Sequence, residues 1–175
     1  MSVLGTYPIF QQAYLVNDIE ASIERWSELF GAGPFGIAAH HRADWFEYRG
    51  TPQEADVTYA FGYLGEVQIQ FIQQHDDTPS IYRDMYAPGE EGYHHTAFLV
   101  RDYAAERQRL LDMGFVAACE LRHGDVEAGY FDTRSVTGGF TELHTDTPRS
   151  LQSFAVQRRA HQIRRPGDSP ILYRR

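Results

Sequence analysis

One short stretch of this chain is repeated in outline later in the sequence, and that repeat constrains the fold more than any other feature. The first copy opens at Gln11 and the second opens at His95. The matched pairs are Gln11 with His95, Val16 with Val100 and Asp18 with Asp102. In each copy a polar residue begins a stretch typical of a strand, and an aspartate stands where it can cap a following helix. Self-similarity at a fixed offset predicts two related units, each with a polar residue able to reach a shared centre.

Periodic patterns extend each copy into a helix followed by strands. Apolar residues between Ile19 and Phe30 recur with helical spacing, which predicts an amphipathic helix outside the sheet. In the first unit we expect strands at 6–16, at 35–41 and 45–49 (or one longer strand through both), at 57–64 and at 66–74. In the second unit we expect a strand from His94 or His95, a helix over 103–113, and strands at 115–122, 126–132 and 139–145. Each unit therefore reads as β-α-β-β-β.

Residues that interrupt helices and strands mark the boundary between these units. Residues 75–92 are polar and contain proline and glycine, which predicts a linker. We therefore predict a first module over 1–74, a linker over 75–92, a second module over 93–147 and a C-terminal tail over 148–175.

Charge is distributed unevenly between the tail and the rest of the chain. The chain has no lysine, and seven of its 16 arginines lie in 148–175, where Asp168 is the only acidic residue. The tail therefore carries about +6 and the rest about −14, out of a net −8. An acidic body argues against nucleic-acid binding, because phosphates need a basic face. The tail is predicted to wrap over that body or over a partner subunit, with the gripping of a substrate phosphate as the alternative.

The sequence also favours a cytoplasmic location. Its single cysteine, Cys119, cannot form an intramolecular disulfide, as is usual in a reducing compartment. No apolar run approaches the roughly 20 residues that span a bilayer, so we expect no membrane association. The first residues lack the basic and apolar regions of a signal peptide.

Four polar side chains on the predicted strands are candidates for one site. Gln11 and His95 lie on the first strand of each unit, while Gln70 and Glu142 lie on the last. If the two sheets pair around a cleft, three oxygen donors and one imidazole converge, and such a set suits a divalent cation. The alternative is that these residues are simply solvated strand residues, which glutamines often are.

The repeat and three motifs resemble the vicinal oxygen chelate superfamily, which includes glyoxalase I, methylmalonyl-CoA epimerase, extradiol dioxygenases and bleomycin-resistance proteins. The motifs are Gly92–Phe98, Gly138–Leu143, and Gln11 with Val16 and Asp18. The resemblance covers about residues 8–146 and leaves the tail outside. It implies an α+β, glyoxalase-like fold in which two βαβββ modules form a cup-shaped, mostly antiparallel sheet.

The resemblance also implies a function for the four candidates. Gln11, Gln70, His95 and Glu142 match metal-ligand positions, and the metal implied is Zn, Ni, Co, Mn or Mg. Such members are lyases or isomerases that move a proton next to a carbonyl through a metal-stabilised enolate. Glu142 is then the expected base, and His144 a second acid or base, or a residue that only lines the cup. The implied substrate is a small carbonyl compound or thioester.

Other readings of the same resemblance stay open. The combination of ligands matches neither glyoxalase I nor the epimerase fully, so the reaction is not fixed. An extradiol dioxygenase is disfavoured, because Gln11 stands where such enzymes have a histidine. A metal-free small-molecule binding or resistance protein is the main alternative. Because members of this superfamily commonly pair, we also expect a homodimer.

Overall fold

The structure is a computed structural model that describes residues 6–174 of the chain. It contains ten strands and four helices, numbered here in chain order. These are β1 (Ile9–Leu15), α1 (Ile19–Phe30), β2 (Phe35–His41), β3 (Trp45–Tyr48), β4 (Val57–Leu64), β5 (Val67–Gln74), β6 (Gly92–Val100), α2 (Tyr103–Asp112), β7 (Ala117–His123), β8 (Val126–Phe131), α3 (Arg134–Thr137), β9 (Phe140–Thr145), α4 (Pro148–Ile163) and β10 (Ile171–Arg174).

All ten strands form one curled sheet in the order β10-β2-β4-β5-β1-β6-β9-β8-β7-β3. The two halves have the same internal arrangement, because β1 pairs in parallel with β5 just as β6 pairs in parallel with β9. Antiparallel pairing of β1 with β6 joins the halves at the centre. The predicted α+β fold, two βαβββ modules in a cup-shaped and mostly antiparallel sheet, is confirmed.

The helices begin where the repeat predicts. The Asp18 carboxylate accepts a hydrogen bond from the Ala21 N–H at 3.0 Å, and Asp102 accepts one from Ala105 at the same distance. Each aspartate pairs one of the N–H groups that a helix leaves free at its start. Gly31 ends α1 with a φ of 72°, a backbone conformation that glycine adopts without strain.

Both of these helices pack their apolar faces against the sheet. In the first half Ile23 of α1 is fully buried in a cluster with Phe35 and Phe71. In the second half Leu110 of α2 packs with Phe131 and Leu143. Burial of such side chains contributes roughly 1.5–3 kcal/mol each to folding. The helices therefore hold the outer face of the sheet and leave its inner face for the cup.

Strand β3 lies in the other half of the sheet from the strands that flank it in sequence. It pairs with β7, so that Trp45 lies opposite Arg122. The Arg122 guanidinium stacks over the Trp45 ring at 5.3 Å from the centroid, which is a favourable cation–π distance. The three strands that follow α1 in the first half-sheet are therefore β2, β4 and β5, and no longer strand runs through 35–49.

The tail covers the first half of the sheet. Helix α4 begins at a capping box between Thr147 and Ser150 and packs on β4, and β10 then pairs in parallel with β2. Two tail arginines form ion pairs with the body, Arg158 with Glu66 and Arg174 with Glu20. The tail thus lies over its own chain.

No helix among residues 6–174 is long and apolar enough to cross a membrane. The homodimer stays a prediction, and sedimentation analysis at micromolar concentration would contradict it by finding only the mass of one chain.

Candidate functional site

The four central strands bring the predicted site residues together. The Nε2 atom of His95 lies 3.3 Å from Oε1 of Gln11 and 2.9 Å from Oε2 of Glu142. Gln70 lines the same cavity as Gln11 and Glu142. All four side chains are buried, and His95 has no exposed surface. The structure therefore gathers these residues at the bottom of the cup.

Two alanines at equivalent positions of the repeat make room for this convergence. In the strand register Ala13 lies between His95 and Gln70, and Ala97 lies between Gln11 and Glu142. Both alanines are fully buried. Because directly opposite residues on neighbouring strands point to the same face, each small side chain leaves space between two longer ones.

Hydrogen bonds behind His95 determine which of its ring nitrogens carries a proton. His94 Nε2 lies 3.1 Å from the backbone oxygen of Ile81, which can only accept, so this nitrogen bears the hydrogen. In neutral His94 the other nitrogen, Nδ1, is then an acceptor, and it lies 2.8 Å from His95 Nδ1. His95 Nδ1 must donate to it, which leaves a lone pair on His95 Nε2. His94 therefore directs a free lone pair of His95 towards Gln11 and Glu142.

Each of the four residues brings a hydrogen-bond acceptor to this part of the cup. Oε1 of Gln70 and Oε2 of Glu142 are buried without a hydrogen-bond partner, and His95 Nε2 and Gln11 Oε1 bring two further lone pairs. Buried acceptors without donors are costly unless a proton or a cation lies between them. The donor set therefore fits a divalent cation held by one imidazole and oxygen atoms.

The charge of the site is low. Among residues 6–174 no three His, Cys, Asp or Glu side chains are grouped as metal ligands, so a cation here would depend on the amide oxygens of Gln11 and Gln70. Burial raises the pKa of Glu142 to about 7, against the opposing effects of His144 and of a hydrogen bond with Tyr130. Burial lowers the pKa of His95 to about 3, so His95 is neutral at physiological pH. Near neutrality Glu142 is thus the group in the set that exchanges a proton.

The site opens into a cavity of about 530 Å³. His144 lines it, and its Nδ1 donates to the Thr145 backbone oxygen at 2.8 Å, so that Nε2 has the free lone pair. About half of the other lining side chains are aromatic or imidazole groups. They include His41, Tyr59, Phe61, His123, Tyr130 and Phe154.

Several of these residues were missed from the sequence. Tyr130 pairs directly with Glu142 across β8 and β9, and the predicted neighbouring strands at 126–132 and 139–145 contained that signal. Phe154 and Gln157 belong to α4 in the tail, where the sequence predicted a cover for the body or a grip on substrate phosphate but named no residue of the cup. No periodic pattern in the sequence indicated which tail residues reach this cavity.

Arg83 and Cys119 lie outside the cavity. Arg83 borders a separate surface depression together with Tyr48 and Asp77, away from the four candidates. Cys119 is buried, and that burial raises the pKa of its thiol well above the ordinary value. A thiol in this state is a poor nucleophile.

Comparison with known proteins identifies a family and a set of similar folds. The family model described as the glyoxalase/bleomycin resistance protein/dioxygenase superfamily matches residues 10–131. No curated protein matches the chain in sequence. Among solved structures, methylmalonyl-CoA epimerase from Mycobacterium tuberculosis is 18% identical with a TM-score of 0.56, over 82% of this chain and 91% of that chain.

Two other solved structures have the same degree of similarity. A methylmalonyl-CoA epimerase in complex with methylmalonyl-CoA and NH4+ is 20% identical with a TM-score of 0.57, over 81% of this chain and 96% of that chain. A hypothetical protein from Bacillus halodurans C-125 is 15% identical with a TM-score of 0.59, over 81% of this chain and 96% of that chain. At these identities the likeness shows the fold alone.

Proposed function

Because the chain belongs to the glyoxalase/bleomycin resistance protein/dioxygenase superfamily, we propose that it is a divalent-cation-dependent isomerase or lyase. Its reaction would move a proton on the carbon next to a carbonyl group. One observation supports this most strongly. The buried His95 Nε2 lies within 3.3 Å of side-chain oxygens of both Gln11 and Glu142 beside an open cavity that Gln70 also lines, and Oε1 of Gln70 and Oε2 of Glu142 have no hydrogen-bond partner. A substrate that enters the cavity reaches this point directly.

In this proposal the residues at the bottom of the cup hold the cation. His95 contributes its Nε2 lone pair, and Gln11, Gln70 and Glu142 contribute side-chain oxygens. A bound divalent cation polarises a carbonyl oxygen and stabilises negative charge that develops on it. Only Glu142 is charged, so the site leaves most of the positive charge of the cation available to the substrate.

Glu142 and His144 are the proposed acid–base groups. A carboxyl group whose pKa is about 7 accepts and returns a proton readily at neutral pH. His144 lies two residues further along the same face of β9, at roughly 7 Å from Glu142 between Cα atoms. Its Nε2 lone pair can take a second proton at a different point of the substrate. The two groups can therefore serve two proton transfers on one bound molecule.

An acyl thioester is the proposed substrate class. The similar fold that was solved with methylmalonyl-CoA supports it, because that ligand has a thioester carbonyl beside an acidic carbon. The test is solvent deuterium exchange into acyl-CoA thioesters, compared with glyoxal-derived thiohemiacetals. Exchange at the carbon next to the carbonyl in metal-loaded protein, with none in chelated protein, is the expected result. Equal behaviour of the two preparations would contradict the proposal.

A metal-free binding or resistance protein is the second candidate. It is favoured by the aromatic lining of the cavity and by the single carboxylate among the four site residues, since both suit a neutral organic ligand. Tight binding of an aromatic compound, unchanged by chelation and without turnover, would support this candidate instead.

Cation binding should release a proton below neutral pH. In the metal-free protein Glu142 is protonated below about pH 7, because burial raises its pKa to about 7. A cation must displace this proton, so affinity should fall about tenfold per pH unit below pH 7. His95 is deprotonated across this range, because its pKa is about 3.

Calorimetry of Co²⁺ binding in two buffers of different ionisation enthalpy measures the released protons. About one proton per Co²⁺ is expected at pH 6, and close to none at pH 8.5. The Glu142→Gln protein, measured in parallel, should release none at either pH. Equal affinity of the wild type at pH 6 and pH 8.5 would contradict this linkage.

A further inference from the structure

A line of three buried glutamines connects the tail to the candidate cation site. Gln11 Nε2 donates to Gln68 Oε1 at 2.6 Å, and Gln68 Nε2 donates to Gln157 Oε1 at 2.9 Å. Gln157 Nε2 then donates to the Tyr173 hydroxyl at 3.0 Å. The exposed fraction is 4% for Gln11, 0% for Gln68 and 3% for Gln157. The line runs from β1 through β5 and α4 to β10.

Every hydrogen bond in this line runs in the same direction. A glutamine amide has a donor end and an acceptor end, so each bond fixes which end the next residue receives. Because the NH2 group of Gln11 is engaged by Gln68, its oxygen is the atom directed to His95 Nε2 at 3.3 Å. If the Gln11 amide were turned over, an NH2 group would face the site and would oppose a cation there.

We propose that Gln157 is a positioning residue of the site, which holds the Gln11 amide, through Gln68, with its oxygen turned towards His95 and Glu142. The inference rests on the proposed function in so far as that oxygen ligates a cation. Without Gln157 the buried Gln68 NH2 group loses its acceptor, which is costly. A turn of the Gln68 amide would only replace the unpaired NH2 group by an unpaired oxygen, so the line would lose its preferred direction, and a turned Gln68 would present an NH2 group to the NH2 group of Gln11. Gln11 would then turn as well.

The tail is anchored firmly enough to act in this way. His161 on α4 lies 2.7 Å from the Gly33 backbone oxygen through Nδ1, and its Nε2 accepts from the Gly65 N–H at 3.1 Å. At the other end, the Tyr173 ring lies so close to Gly36 that a Cβ there would come within 2.3 Å of it. A glycine at position 36 therefore lets Tyr173 approach β2 and reach Gln157.

Gln157 also lies outside the part of the chain that matches the family model, which ends at residue 131. The orientation of Gln11 thus depends on a segment added after the second module. The structure accordingly makes the tail part of the site, beyond its role as a cover for the sheet.

Four variants test the proposal. Gln157→Leu removes the acceptor for Gln68, and Gln157→Asn stays polar but is one methylene group shorter. Gln157→Glu keeps a side-chain oxygen at the same distance from the backbone. Gln152→Leu makes the leucine change at an exposed glutamine of the same helix, so it serves as the matched control. Thermal unfolding of each variant establishes which ones fold.

The first measurement is made on metal-free protein by ¹⁵N NMR and follows the side-chain NH2 hydrogens of Gln11. In the wild type, Gln157→Glu and Gln152→Leu proteins these hydrogens should exchange slowly, because they are buried and bonded to Gln68. In Gln157→Leu and Gln157→Asn they should shift and exchange at least about tenfold faster. This readout needs no cation.

The second measurement is the dissociation constant for Co²⁺, followed by the visible absorption of the bound ion. Gln157→Leu and Gln157→Asn should weaken binding about 10- to 100-fold, the usual effect of losing a residue that orients a ligand. Gln157→Glu should bind no more than about threefold more weakly than the wild type, and Gln152→Leu should match the wild type.

The outcomes separate this inference from the proposed function. If the wild type binds no Co²⁺, the proposed function is wrong, and the NMR measurement still decides whether Gln157 orients Gln11. If the wild type binds Co²⁺ while folded Gln157→Leu or Gln157→Asn keeps the wild-type affinity and slow Gln11 exchange, Gln157 is not a positioning residue. Weakening by Gln157→Glu equal to that by Gln157→Leu would also overturn the inference.

Discussion

Replacing Glu142 with glutamine is expected to slow deuterium exchange at the substrate carbon by at least about 100-fold at saturating metal, since a positioned general base contributes about 10²–10⁴-fold. The substitution keeps a side-chain oxygen at the site but removes the basic carboxylate. Exchange is measured by mass spectrometry of the thioester after incubation in deuterium oxide. Glu127→Gln, on the neighbouring strand and outside the cavity lining, is the matched control and should exchange at the wild-type rate.

Stability measurements distinguish this loss from damage to the fold. Burial raises the pKa of Glu142 from its ordinary value of 4.5 to about 7, so the folded protein binds more protons than the unfolded chain between these values. The free energy of unfolding contributed by Glu142 therefore falls as the pH rises through that window. The difference in free energy of unfolding between metal-free Glu142→Gln and metal-free wild type should be larger at pH 8 than near pH 4, by up to about 3 kcal/mol in favour of the variant. A variant that is both less stable and inactive would instead indicate structural damage.

Replacing His95 with alanine should remove most of the affinity for a divalent cation. His95 is the only imidazole among the four converging residues, and its lone pair is directed at the site by His94. Alanine leaves three oxygen donors, two of them neutral, so the dissociation constant for Co²⁺ should rise at least about 100-fold. His123→Ala makes the same change at a histidine of the cavity lining that is outside the donor set.

Binding of Co²⁺ by His95→Ala at close to the wild-type affinity would contradict the assignment of His95 as a ligand. Equal weakening by His123→Ala would show that the effect is a general one of altering the cup. The expected result is a large change for His95 and one within about twofold for His123.

The fold could be predicted because its signals are local and occur twice. Apolar alternation and the two capping aspartates define each module, and the repeat then fixes how the modules pair. The partner of β3 could not be predicted in this way. The residues Trp45–Tyr48 have the same strand pattern whichever edge they join, and the strand that they pair with, which places Arg122 opposite Trp45, comes from a distant part of the chain.

The convergence of the four candidate site residues could also be predicted from the sequence. Four polar residues at matching positions of two modules must approach one another when their strands pair at the centre. The groups that orient these four residues could not be predicted in the same way. His94 acts through the backbone oxygen of Ile81 in the linker, and Gln157 acts from a helix outside both modules. Neither contact follows a strand or helix period, so only the three-dimensional structure reveals them.

Anomalous diffraction from crystals soaked in Co²⁺ tests the central claim most directly, because it locates the ion without reference to activity. One strong peak is predicted at the bottom of the cup, within coordination distance of His95 Nε2 and of side-chain oxygens of Gln11, Gln70 and Glu142. Absence of a peak there under saturating Co²⁺ would contradict the account. So would a peak bound only by other histidines, such as His40 and His75, whose rings lie 4.7 Å apart near the protein surface.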